Sequence, residues 1–241
     1  MPPRKVRHWR AALFFRVKFE PMTLPPSNRI TRLARSPLVL ILIALAAILL
    51  LTRVGPVEKS LGVNIRVVYL HGAWVWASLA LFIAAGLTGL AAILVRPPER
   101  RSAAALHAWS RALGRAGLVF WITYLPISMW AMQTNWNGLY LAEPRWRLAL
   151  IYAISGLLLQ IGLSLIANPF WTSLANLLFI STLLIAINST REIMHPSSPI
   201  LSSDSRLIQV YFFLLVGVTL LAAWQVARLF LRLDPPESAV Q

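Results

Sequence analysis

Residues 148–190 read LALIYAISGLLLQIGLSLIANPFWTSLANLLFISTLLIAINST, 43 consecutive residues without a charged side chain between Arg147 and Arg191. A helix rises 1.5 Å per residue, and about 20 apolar residues cross roughly 30 Å of hydrocarbon. This run is too long for one crossing and about right for two. Asn168-Pro169 lies near its middle. Proline has no N–H to donate and its ring clashes with the preceding turn, so it ends the first helix there. The stretch predicts two membrane-spanning helices joined by a tight turn.

The rest of the chain repeats the pattern without the internal break. Arg35 and Arg53 enclose 17 residues free of Asp, Glu, Lys and Arg; Arg66 and Arg96 enclose 29; Arg115 and Glu143 enclose 27; Arg206 and Arg228 enclose 21. The chain of 241 residues is 58% hydrophobic and 13% charged, where a soluble domain is about half apolar and a quarter charged. The fold class expected is an all-α integral membrane protein of about six transmembrane helices. The spans fall near Leu38–Thr52, Val67–Val95, Ala116–Met132, Leu148–Ala167, Phe170–Asn188 and Leu207–Leu231. They divide the chain into a basic tail (1–35), a six-helix domain (36–232) and a short second tail (233–241).

Charge then sets orientation. If the N-terminus is inside, segments 1–36, 96–115, the Asn168-Pro169 turn and 228–241 hold 16 of the 23 Lys and Arg residues, and 53–66, 133–147 and 190–206 hold 7. Basic loops stay on the cytoplasmic side, so the chain is expected to be N-in and C-in, in a prokaryotic inner membrane. The net charge of +15 is spent on flanking spans and meeting anionic lipid, and nucleic acid is not an expected partner. In the tail, Arg4, Lys5, Arg7, Arg10, Arg16 and Lys18 interleave with Trp9, Phe14, Phe15 and Phe19. This fits either an interfacial amphipathic helix or a flexible basic leader. There is no cysteine, which excludes disulfides, thiol chemistry and thioether-linked haem. Ala85 and Gly89 form a pair of small residues four apart, and Gly114 and Gly117 lie near the start of the third span. All four predict close helix contacts.

The predicted spans hold no Asp, Glu, Lys or Arg, which argues against a proton pump or an ion-coupled carrier. Gln160, Ser164 and Asn176 are the polar groups a pathway would use, and interhelical hydrogen bonds account for them as well. Histidine remains. His8 in the tail and His107 in the 96–115 segment are expected to be solvated. His71 stands one turn inside the outer end of the second span, and His195 in the outer segment before the last. Two neutral imidazoles on one face can ligate a metal or both axial positions of a haem iron, or simply be hydrogen-bonded at the interface. The outer segment after the third span is rich in aromatics: Trp130, Trp136, Tyr140 and Trp146, with Glu143, Arg145 and Arg147. Such a segment can stack on a porphyrin and pair with its carboxylates, or form an interfacial aromatic belt.

Three motifs together, in this order, give a resemblance. Ile65-Arg66-Val67-Val68-Tyr69-Leu70-His71 looks like an R-I-I-Y-L-H entry to the second span. Trp136-Asn137-Gly138-Leu139-Tyr140-Leu141-Ala142-Glu143-Pro144-Arg145 stands where a W-G-T-W-W-V-W-D/E-x-R motif would stand. Met194-His195-Pro196 matches a short L-H-P/Q segment before the last span. The chain over about 36–232 resembles the CcmC type of the cytochrome c assembly family. The resemblance implies a non-covalent haem b with His71 and His195 as axial ligands of the iron. It implies that Trp136, Tyr140, Glu143 and Arg145 belong to the haem platform, with Arg147 or Arg66 as further carboxylate partners. It also implies presentation of haem on the outer face during cytochrome c maturation, to a periplasmic acceptor and beside an ABC-type transporter complex. Such a role breaks no bond, so an enzyme is not expected. Leu139 and Ala142 stand where the motif has tryptophan. The alternatives are a membrane subunit of an ABC-type transport system and a structural scaffold that has lost haem.

Overall fold

The computed structural model describes residues 36–95, 100–191 and 200–234. Among them are six helices: α1 (Pro37–Val54), α2 (Ile65–Leu94), α3 (Arg100–Trp136), α4 (Pro144–Ile166), α5 (Pro169–Ser189) and α6 (Arg206–Leu233). All six are long and apolar enough to cross a membrane.

Local chemistry explains where the helices start and stop. α1, α4 and α5 begin with proline in the first turn, where a missing N–H costs nothing. The α4–α5 break falls where proline was expected to put it. α4 ends on Ala167 in the left-handed region (φ 51°), with its N–H bonded to the Leu163 carbonyl. The Asn168 side chain then accepts from the backbone N–H groups of Phe170 and Trp171, capping α5. At the start of α4, Glu143 is the cap and accepts from the Trp146 N–H at 2.6 Å.

Consecutive helices run antiparallel. The Tyr211 hydroxyl near the start of α6 donates to the Leu51 carbonyl near the end of α1. Asn64, just before α2, donates to the Thr134 carbonyl near the end of α3 at 2.9 Å. The connections 55–64 and 137–143 and the start of α6 therefore share one face, called here the long-loop face. The end of α2, the start of α3, the 167–168 turn and Asp234 share the other, the short-turn face. The segments 53–66 and 133–147, expected to be outer, fall on the long-loop face, as do the described ends of 190–206.

The third helix departs from expectation. Residues 96–115 were read as an inner segment outside the span, but α3 is already helical from Arg100 and runs 37 residues, about 55 Å. Arg111 and Arg115, read as loop charges, lie on this helix. Arg111 Nε donates to Asp234 at 2.7 Å and Arg115 Nη1 donates to the same carboxylate at 2.5 Å, tying α3 to the end of α6.

α2 and α3 pack along their length as the central hairpin. α5 lies across both, α6 closes the other side and carries α1, and α4 is held at the edge by α3 and α5. Lipid is as apolar as leucine, so close fit rather than burial from water holds such helices together. Glycines provide that fit. A Cβ added at Gly89 would lie 2.8 Å from the Ser173 carbonyl oxygen, and one at Gly114 would lie 2.7 Å from the Asn176 amide. The expected small-residue contacts at Gly89 and Gly114 are thus contacts with α5. Ala85 is buried and turns its carbonyl to Ser110 of α3.

Candidate functional site at the long-loop face

His71 lies two turns into α2, on the hairpin's inward side. Its imidazole packs against the Tyr124 ring of α3, with centroids 5.1 Å apart and planes tilted by 40°. Tyr124 is buried and also packs on Trp121 at 5.4 Å. Ser128 stands one turn further along α3 and is buried as well, and the charges of Glu143 and Arg145 are felt at the Tyr124 hydroxyl. Tyr124 therefore stands between the histidine of α2 and the charged start of α4.

The first residues of α4 are unusual in what they leave unmade. Glu143 is 4% exposed; one carboxylate oxygen caps the helix, and the other has no hydrogen-bond partner among the described residues. Arg145 Nε and Trp146 Nε1 are likewise buried donors without a hydrogen-bond acceptor. Three such atoms in four consecutive residues need an account, because buried polar groups in folded proteins are nearly always paired. One carboxylate oxygen and two N–H donors at a helix N-terminus suit a ligand or water that offers both acceptor and donor.

The aromatic loop lies at the entrance. Trp136 is half buried, Tyr140 is exposed, and the two rings meet edge to face at 5.8 Å. Asn137 in the left-handed region (φ 54°) turns the chain between them. Arg147 Nε donates to the Leu141 carbonyl and Arg66 Nε to the Gly55 carbonyl, so both guanidinium groups also brace loops. His195 lies in 192–199, outside the described residues, as do the tail 1–35 and residues 235–241. Elsewhere on this face Glu58 is partly exposed. The Ser60 hydroxyl and the Leu61 N–H hold its carboxyl below the usual carboxylate range.

The sequence reading missed Tyr124 and Trp146. Tyr124 and Ser128, four apart inside an apolar run, were a polar pair that could have been read. Trp146 was noted only as one aromatic among several. The reading also placed His107 in solvent, and that is corrected here. His107 Nδ1 lies 2.7 Å from the Ser173 hydroxyl of α5 and the residue is half buried, because α3 extends far enough to meet α5. Beside it, Asn176 donates to the Ser110 carbonyl and hydroxyl, and Gln160 donates to Asn176 at 3.2 Å. Ser164 instead bonds its own helix at the Ile161 carbonyl. These polar groups serve helix contacts. A cleft of about 10 Å³ next to Gln160 and Asn176 is at the lower limit for one water.

Among the described residues, no three His, Cys, Asp or Glu side chains gather where a metal ion would sit. The chain matches no protein-family model, no curated protein and no solved structure.

Proposed function

We propose that this chain is a haem-handling protein of the prokaryotic inner membrane, with the long-loop face outside and both tails in the cytoplasm. The observation that carries the reading is the group of buried, unpaired atoms on Glu143, Arg145 and Trp146, whose charges act on the Tyr124 that packs against His71. In this reading His71 and His195 would hold the haem iron through their imidazoles. Trp136 and Tyr140 offer the aromatic surface, and Arg145 pairs with a porphyrin carboxylate. Glu143 acts by capping α4 and so sets where Arg145 stands. Haem b, when bound, supplies the iron and its absorption spectrum; the chain supplies ligands, a stacking surface and a charge partner. Its role is to hold and present the group during cytochrome c maturation, to a periplasmic acceptor and next to an ABC-type complex. No bond is made or broken, so the protein is not an enzyme. The transport-subunit reading is disfavoured because Gln160 and Asn176 are spent on each other and on Ser110. A scaffold without haem draws support from Leu139 and Ala142, which remove two stacking rings from the platform.

The test is the visible spectrum of protein purified in mild detergent from haem-replete cells, beside His71→Ala and His195→Ala. A Soret band with sharp α and β bands on reduction, lost or shifted in both variants, is expected. A colourless wild type overturns the reading in favour of the scaffold.

A further inference from the structure

We infer that Tyr124 is the positioning residue for the His71 imidazole. The inference rests on the haem reading above for its purpose, though not for its geometry. His71 and the α4 charges come from different helices, and Tyr124 of α3 packs on the first and lies in the field of the second. One face of its ring packs on His71 at 5.1 Å. Trp121 supports the ring at 5.4 Å, and Trp121 is itself fixed by donation from its indole N–H to the Ala149 carbonyl at 3.0 Å. At the far end, the hydroxyl is buried, inside the field of Glu143 and Arg145. The ring is thus packed between the His71 imidazole and the Trp121 indole.

An imidazole on a helix retains rotation about its outer torsion, which is broad and only roughly two-fold. An axial ligand must fix that rotation, because the orientation of the ring plane governs its overlap with the iron. Ligating histidines elsewhere are oriented by hydrogen-bonded partners in the surrounding shell. Here a wall does part of that work. Next to it on α2, a Cβ added at Gly72 would lie 3.0 Å from the Phe212 ring of α6. The α2 backbone beside His71 is therefore pressed close to α6, while the imidazole lies against Tyr124.

Three variants test this: Tyr124→Phe, Tyr124→Leu and, as a packing control in the same core away from His71, Phe82→Leu. Phe82 packs on Trp121 at 6.1 Å and stands about three turns along α2 from His71. Two readouts are used. The first is the ¹⁵N-histidine spectrum of apoprotein, assigned with His71→Ala. The second is electron paramagnetic resonance of the ferric haem form, whose largest g value follows the relative orientation of the axial imidazoles, together with haem affinity. Tyr124→Phe keeps the ring face and is expected to leave the His71 signal and the g value close to wild type. Tyr124→Leu is expected to shift and broaden the His71 signal, move the g value and weaken haem binding about threefold to tenfold, the range of an aromatic pair. Phe82→Leu should leave the His71 signal in place. The inference is overturned if Tyr124→Leu leaves the His71 signal unmoved, or if Phe82→Leu disturbs it equally. A wild type without haem defeats the haem reading alone, since the apoprotein spectrum still decides whether Tyr124 orients His71.

Discussion

Gly89→Ala is the sharpest test of how this bundle holds together. The new Cβ would lie 2.8 Å from the Ser173 carbonyl oxygen, 2.9 Å from the Ser110 hydroxyl and 3.2 Å from the Ser173 Cα. Ordinary contact begins at 3.4 Å, so the first is about 0.6 Å too short. Two of the three atoms are α5 backbone, which yields only if the whole helix moves. Overpacking of this kind costs about 1–3 kcal/mol. Displacing Ser110 also strains its bond to the Ala85 carbonyl and the one it accepts from Asn176, each worth about 0.6 kcal/mol between membrane helices. Alanine returns at most about 1 kcal/mol through its better helix propensity. The net expectation is a loss of about 1–3 kcal/mol. Gly162 is the matched control on α4, because a Cβ there meets nothing within 4 Å, and Gly162→Ala should be neutral or slightly stabilising. Reversible unfolding in mixed detergent and SDS micelles measures both. If Gly89→Ala proves as stable as Gly162→Ala, the close approach of α2 to α5 is refuted.

Three further perturbations probe other parts of the molecule. A double-mutant cycle on His107→Ala and Ser173→Ala should give a coupling of about 0.6–1.5 kcal/mol, whereas a solvated His107 would give none. Asp234→Asn should cost about 1 kcal/mol and speed amide exchange over the last turn of α6, with the difference shrinking in high salt; equal exchange in both proteins would mean that the Arg111 and Arg115 contacts contribute nothing. Glu58 has its carboxyl held below the ordinary value by the Ser60 hydroxyl, so its support of the 58–62 turn is present at neutral pH and lost as pH falls through that lowered value. The Ser60 and Leu61 amide signals should titrate at that point, and Glu58→Gln should abolish the transition.

The sequence displayed what depends on neighbours along the chain and hid what depends on neighbours in space. Six helices were legible because charges bracket each apolar run, and the α4–α5 break because Asn168-Pro169 carries both cap and stop. The first four turns of α3 were not legible. Arg111 and Arg115 read as loop charges until Asp234, 119 residues beyond Arg115, comes round to meet them. His107 looked solvated because Ser173 is 66 residues away. At the long-loop face His71, Glu143 and Arg145 stood out by residue type, but Tyr124 looked like one more apolar-run aromatic. Its role comes from standing between α2 and α4, which spacing within α3 alone does not reveal.

The length of α3 has a mechanical consequence. Thirty-seven residues make a rod of about 55 Å, against a hydrocarbon layer of about 30 Å and tilts that reach about 40°. Even at that extreme the rod covers about 42 Å along the membrane normal, leaving roughly 12 Å standing clear of the acyl chains. The salt link to Asp234 sets that surplus on the short-turn side, as a stiff post continuous with the wall that backs His71. Thickening or thinning the bilayer should therefore slide this post through the headgroups and leave the bundle's internal angles alone. Whatever grips the post pulls on the same helix that carries Tyr124, two residues before Pro126, whose missing N–H leaves the helix free to bend there.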